Sequence, residues 1–241
     1  YDIEREFLSP TDAHQKVMKM VIETHSIPAS DVPFYAHIFI LIIIICSILF
    51  VQLLMFICMG LVLQFGYTSQ QLNGINSWWL SLFLSVSAYN NAGFAPFPDN
   101  MVRFNTDYAM NIFVMALVLI GNNFYPAYLR LILLTLYKFN TRYKIVFKYL
   151  LSNHHHVTIQ LYPGLQTRVY VAITILMQLT AMVVTTFVEY WNPVMASFNF
   201  GQTLLIVSFQ AVSARSAGFN SIDLGQLSSV TLLILIVMMR I

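Results

Sequence analysis

Val86-Ser87-Ala88-Tyr89-Asn90-Asn91-Ala92-Gly93-Phe94 and Val212-Ser213-Ala214-Arg215-Ser216-Ala217-Gly218-Phe219 share two words, Val-Ser-Ala and then Ala-Gly-Phe, each time at the end of a short apolar segment. Such self-similarity marks an internal duplication. The short segments decide how the chain folds. Residues 78–88 (WWLSLFLSVSA) extend only about 16 Å as a helix, half of a hydrocarbon core of about 30 Å, so they are predicted to enter a membrane without crossing it. Residues 200–214 form a second such half-helix. Working outward, apolar runs long enough to cross cover residues 36–65, 108–137 and 165–191. A last apolar run, 227–241, makes about 22 Å of helix and reads as the first half of a longer span, so the chain is expected to be part of a larger protein.

Composition agrees with this division. Of 241 residues 58% are hydrophobic and 9% charged, against about 25% charged in a soluble domain. A net charge of +2 and only 2 Cys exclude a basic nucleic-acid binder and a disulfide-stapled module. Cys46 and Cys58, on one helix, stand roughly 18 Å apart, too far to bridge. The expected class is an all-α membrane protein. Residues 1–35 are mostly polar and of mixed charge, predicted to be cytosolic, without the basic start and short apolar core of a signal peptide.

Charge asymmetry orients the spans. Lys138, Arg142, Lys144, Lys148 and Arg168 stand in a stretch without Asp or Glu, which places the loop 138–164 in the cytosol by the positive-inside rule. Both half-helices then dip in from the outer face. Arg130 snorkels at the cytosolic end of the second span, and Trp78, Trp79 and Trp191 fall at outer interfaces. Residues 36–137 and 165–241 are therefore parallel membrane-pore-membrane repeats, related by an axis along the membrane normal, the symmetry of a pore.

Non-helical backbone at membrane depth is tolerated where protein buries it or where it lines a water-filled cavity. The loops after Ala88 and Ala214 meet that condition as cavity linings suited to cations. Each follows a helix C-terminus, with its partial negative charge, and each contains a glycine, Gly93 or Gly218, able to turn carbonyls inward. Asp99 and Asp223 lie at the outer mouth, placed to concentrate cations.

The runs SAYNNAGFAPFPDNM (residues 87–101), GNNFYPAYLR (121–130) and VSARSAGFNSID (212–223) resemble the second and third pore repeats of the Trk/Ktr/HKT superfamily of potassium and sodium transporters. Tyr162-Pro163 and Gln166-Thr167 resemble its plant HKT and fungal Trk branch. The resemblance implies four membrane-pore-membrane repeats in the full chain, two of them present, with re-entrant pore half-helices and extended filter loops. It implies a filter glycine in each repeat, and a homodimer of full subunits in the plasma membrane. The filter strands would be Asn91-Ala92-Gly93-Phe94 and Ser216-Ala217-Gly218-Phe219, carrying K⁺ or Na⁺. The partners implied are those ions, membrane lipid and the remaining repeats, with no cofactor and no nucleic acid.

Gly93 and Gly218 could each be a helix C-cap, but their matching context favours the filter. Arg215 is expected to brace the filter by bonding carbonyls or an acid such as Glu189 or Asp223. Gly121-Asn122-Asn123 before Pro126 marks either a broken helix or an ordinary proline kink. His154-His155-His156 lacks the i, i+4 spacing of a preformed metal site and reads as a solvated basic loop. No nucleophile with its base, phosphate loop or dinucleotide fingerprint is present, so no enzyme is expected. The alternative function is a non-conducting regulatory or assembly subunit that keeps the pore-repeat fold.

Overall fold

A computed structural model describes residues 32–139, 143–152, 158 and 160–240. The polar segment 1–31, Arg142 and His154-His155-His156 lie outside the described residues. All regular elements among those described are helical. They are α1 (Val32–Gly66), α2 (Ser77–Tyr89), α3 (Tyr108–Val118), α4 (Tyr125–Phe139), α5 (Lys144–Ser152), α6 (Gly164–Glu189), α7 (Phe200–Ser216) and α8 (Ser229–Arg240). Short 3₁₀ turns stand at Val102–Phe104, Met195–Ser197 and Leu224–Gln226, and a π turn at Leu119–Asn123.

Two helices, α1 and α6, are long and apolar enough to cross a membrane by themselves. With 35 residues, α1 extends about 52 Å, well beyond the hydrocarbon core. The run 108–137 differs from the single span expected of it. It divides at the π turn and Phe124 into α3 and α4, which pass the same test only as a pair. Phe124 N closes the π turn on Leu119 O at 2.8 Å, and the helix resumes at Tyr125-Pro126, where proline lacks the N–H a continuous helix would use.

The chain separates into two compact units, and α1 and α6 each contribute to both. The first takes in residues up to Ile48 with Tyr125–Ala172. Its core follows helical spacing: Ala36, Ile40 and Ile43 of α1, Tyr125, Leu129 and Leu133 of α4, and Val146, Phe147, Leu150 and Leu151 of α5. Phe39 rests against Tyr143 and Phe147, with ring centroids 5.0 and 6.0 Å away. Arg130 donates from Nη1 to Tyr162 O at 2.9 Å, and Thr167 Oγ1 donates to the same carbonyl at 3.1 Å. The buried stem and charge-assisted bond fix the chain that enters α6.

The second unit comprises Leu49–Phe124 and Ile173–Ile241. Asp107 organises the start of α3: Oδ1 accepts from Ala109 N and Met110 N at 2.9 and 3.2 Å, while Oδ2 accepts from Tyr67 Oη at 2.7 Å. Burial, and then that bond to a carboxylate, push the Tyr67 phenol well above its ordinary range. Asn111, fully buried, donates to Phe104 O at 2.6 Å and Asp107 O at 2.7 Å, closing the turn before α3.

Glu189, at the end of α6 and fully buried, latches α8. Its Oε1 accepts from Ser228 N at 3.0 Å, Ser228 Oγ at 2.8 Å and Thr231 Oγ1, and its Oε2 accepts from Asn192 Nδ2. Ser228 is also the N-cap of α8, its Oγ accepting from Thr231 N at 3.2 Å. Removing the carboxylate strands several buried donors, each costing about 1–3 kcal/mol. Glu189→Ala is therefore predicted to destabilise the full-length protein by roughly 2–4 kcal/mol, and Thr231→Val by about 1 kcal/mol. Thermal unfolding in detergent, followed by tryptophan fluorescence, checks both, and an unchanged midpoint for Glu189→Ala would refute the latch.

Candidate functional site

Each short apolar helix begins with an asparagine cap and ends in a glycine-containing loop. In α2, Asn76 Oδ1 accepts from Trp78 N at 2.9 Å and Trp79 N at 3.4 Å. In α7, Asn199 and Gln202 form a reciprocal capping box. These caps fix where the helices start, and hence where their C-termini release the chain.

The two exits are built alike. Ala92 N donates to Ser87 O at 2.9 Å, and Gly218 N donates to Ser213 O at 2.9 Å, so each loop folds back on the carbonyl of a matching serine. The serine hydroxyls then hold the strand beyond. Ser87 Oγ donates to Phe94 O at 2.7 Å, and Ser213 Oγ donates to Phe219 O at 2.7 Å. The first loop is one residue longer, with its tether spanning seven positions against six in the second. Asn91, at φ 54°, absorbs the extra residue in the left-handed region that asparagine tolerates.

Gly93 and Gly218 both occupy that region, at φ 71° and 81°. A side chain there costs about 1–2 kcal/mol from backbone sterics alone. Gly93 carries a second constraint. A Cβ on it would overlap Ala217 O and stand 3.0 Å from Ala217 C, so the two loops pack backbone against backbone. Beyond them, Met101 N donates to Asn220 O at 3.1 Å and joins the segments that follow. The duplicated words of the sequence thus meet in space within one compact unit.

The residues read as filter strands are not placed identically. Asn91, Ala92, Gly93 and Phe94 all lie beyond the end of α2. Ser216 instead completes the last turn of α7, its Oγ reaching back to Val212 O at 3.4 Å, so the second loop begins at Ala217. Phe219 is fully buried whereas Phe94 is 70% exposed. Helix α7 accordingly ends two residues later than the sequence suggests, because the helical bonds outlast the apolar pattern.

The two acids also differ. Asp99 receives Arg103 Nη2 at 2.6 Å and Nε at 3.1 Å. That hydrogen bonding holds the Asp99 carboxyl below its ordinary range. Arg103 lies 3.6 Å over the Phe97 ring and donates to Gln71 O at 3.2 Å, so its charge is engaged on three sides. Asp223 is exposed and caps the next turn, accepting from Gly225 N at 3.0 Å. Arg215 stands on the last turn of α7, and its Nη1 is buried without a hydrogen-bond partner among the described residues. The acids expected to receive it, Glu189 and Asp223, are engaged by Ser228, Thr231 and Asn192 and by Gly225 respectively.

Sequence reading did not single out the two serines, Arg103, or Asn100, whose side-chain Nδ2 donates to Gly93 O at 3.0 Å. The serines were visible as part of the shared words, but a serine near a helix end has many ordinary uses.

Comparison with known proteins bears on the whole arrangement. The TrkH family model, described as cation transport protein, matches residues 31–241. A Dictyostelium discoideum protein named for potassium transport is 32% identical over 203 residues, covering 83% of this chain and 31% of the relative. The Ktr system potassium uptake protein B of Vibrio alginolyticus is 33% identical over 162 residues, 67% of this chain and 31% of that protein. The rice cation transporter HKT1;1 is 29% identical over 174 residues, 68% and 30% of the respective lengths. The chain spans less than a third of the length of these relatives. Matched over nearly all of its length, it belongs to the TrkH family of cation transport proteins, which are ion transporters and not enzymes.

Proposed function

We propose that this chain supplies two of four pore repeats of a transporter that carries potassium or sodium inward through a backbone-carbonyl filter. The observation that carries the reading is the matched pair of loops, each released from a capped half-helix, tethered by a serine and turned by a glycine at positive φ. Carbonyl oxygens at a helix C-terminus present negative potential without a fixed charge, which suits a partly dehydrated monovalent cation. The names of the relatives, potassium uptake protein and cation transporter among them, support the same cargo.

In this reading Ala92, Gly93, Ala217 and Gly218 line the ion path with Asn91, Phe94 and Phe219, and Ser216 sets the start of the second strand. Asp223 is the outer-mouth carboxylate that attracts cations, while Asp99 is offset by Arg103. The remaining two repeats belong to the rest of the full-length protein, which dimerises in the plasma membrane with the basic loop 138–168 facing the cytosol.

Uptake of K⁺ and Na⁺ by the full-length protein, in a host lacking its own potassium uptake, tests this directly. Gly218→Val and Gly93→Val are expected to lower maximal uptake about tenfold or more, the scale set by the left-handed backbone penalty, with membrane levels unchanged. Rates equal to wild type in both variants would refute the filter. Asp223→Asn is expected to raise the apparent KM about two- to threefold at low ionic strength, an effect that fades near 0.15 M salt as screening sets in. Asp99→Asn should change KM less than Asp223→Asn; a larger effect at Asp99 would overturn the assignment of the mouth charge.

A further inference from the structure

One peptide group in the first loop is held at both ends. Phe94 N donates to Ser87 Oγ at 2.9 Å, and the carbonyl of the same peptide, Gly93 O, accepts from Asn100 Nδ2 at 3.0 Å. Neither half can rotate without breaking a hydrogen bond. The peptide plane beside the positive-φ glycine is therefore fixed, and one lone pair of Gly93 O is already engaged. The backbone of Asn100 is held on either side, its own N–H donating to Phe97 O at 3.2 Å and the next residue, Met101, donating to Asn220 O at 3.1 Å, while its Oδ1 is buried without a hydrogen-bond partner among the described residues.

Among the described residues, no side chain donates to Gly218 O as Asn100 donates to Gly93 O. Leu224 follows Asp223 as Asn100 follows Asp99, and a leucine side chain has no donor. The two loops thus share their serine tethers but not this clamp. A carbonyl that already accepts an amide N–H offers a cation less negative potential, and in a fixed direction, than one that faces the path freely.

We propose that Asn100 is a positioning residue of the ion path: by holding Gly93 O it makes the two loops electrostatically unequal and thereby sets the discrimination between K⁺ and Na⁺. This rests on the filter reading above. The competing explanation is local. Asn100 has φ 53°, a conformation asparagine tolerates, so it would stand there for the turn alone.

Asn100→Gly separates the two, because glycine keeps the left-handed turn and removes the amide. Asn100→Asp keeps the shape and loses the donor. KM and maximal rate for K⁺ and Na⁺ are measured for wild type and both variants of the full-length protein, with membrane levels by immunoblot. The expected result is a change of about three- to tenfold in the K⁺ to Na⁺ ratio of KM values, the range one hydrogen bond commands, with maximal rates changed less. An unchanged ratio in Asn100→Gly, or in Asn100→Asp if the glycine variant does not accumulate, assigns Asn100 to the turn and overturns the proposal. Loss of both variants from the membrane assigns it to folding, with the same consequence. Absence of flux in wild type removes the filter reading itself, an outcome distinct from a wild type that conducts beside variants with unaltered selectivity.

Discussion

A backbone that leaves a helix among buried neighbours must find partners for its peptide groups within the protein, and the two glycine-containing loops show how few side chains that takes. Ser87 and Ser213 each supply a carbonyl to a returning N–H and a hydroxyl to a phenylalanine carbonyl. Every other feature of the site depends on those bonds. They set the length of each loop, and the length requires the glycine at positive φ. The glycine at 93, lacking Cβ, lets the two loops meet at Ala217. A serine suits the position because it is small, both donates and accepts, and costs little in side-chain entropy.

The surrounding elements hold the half-helices where this exchange can occur. Asparagine caps fix their starts. Asp107 and Asn111 close the turn ahead of α3, and Glu189 gathers Ser228, Thr231 and Asn192 at the start of α8. Asp107 and Glu189 each accept several hydrogen bonds, and Asn111 Nδ2 donates to two backbone carbonyls. In a chain with 9% charged residues, such groups carry register that a uniformly apolar surface cannot specify, since one leucine face slides on another at little cost.

Much of this architecture was legible in the amino-acid order. Helical class, the two short apolar helices and the matching loops that follow them are read from run lengths and repeated words, because a repeat of six residues in order is hard to obtain by chance. The finer geometry was not legible. Ser216 looks like loop because it follows an arginine, yet helical hydrogen bonds continue through it. The run 108–137 reads as one span by hydropathy, and between the broken helix and the proline kink that Gly121-Asn122-Asn123 left open, only the structure shows the break, at the π turn Leu119–Asn123. Arg215 invited pairing with Glu189 or Asp223 by charge alone, but hydroxyls and amides reach those carboxylates. Side-chain partners across tens of residues, such as Ser228 with Glu189, leave no pattern in a single sequence.

The unequal treatment of the two acids follows from the same physics. Asp99 has a cation four residues on, stacked over Phe97, so its charge is neutralised locally and serves to fasten its loop to Gln71 through Arg103. Asp223 meets only a backbone N–H and keeps its charge exposed. A duplicated loop therefore need not be a symmetric one. Duplication preserves the serine and glycine that backbone geometry demands, while side chains around them are free to differ in charge, in burial as at Phe94 and Phe219, and in which carbonyl is clamped. In the filter proposed above, selectivity between ions of equal charge rests on small differences in field strength and position, and an imperfect repeat is one source of such differences.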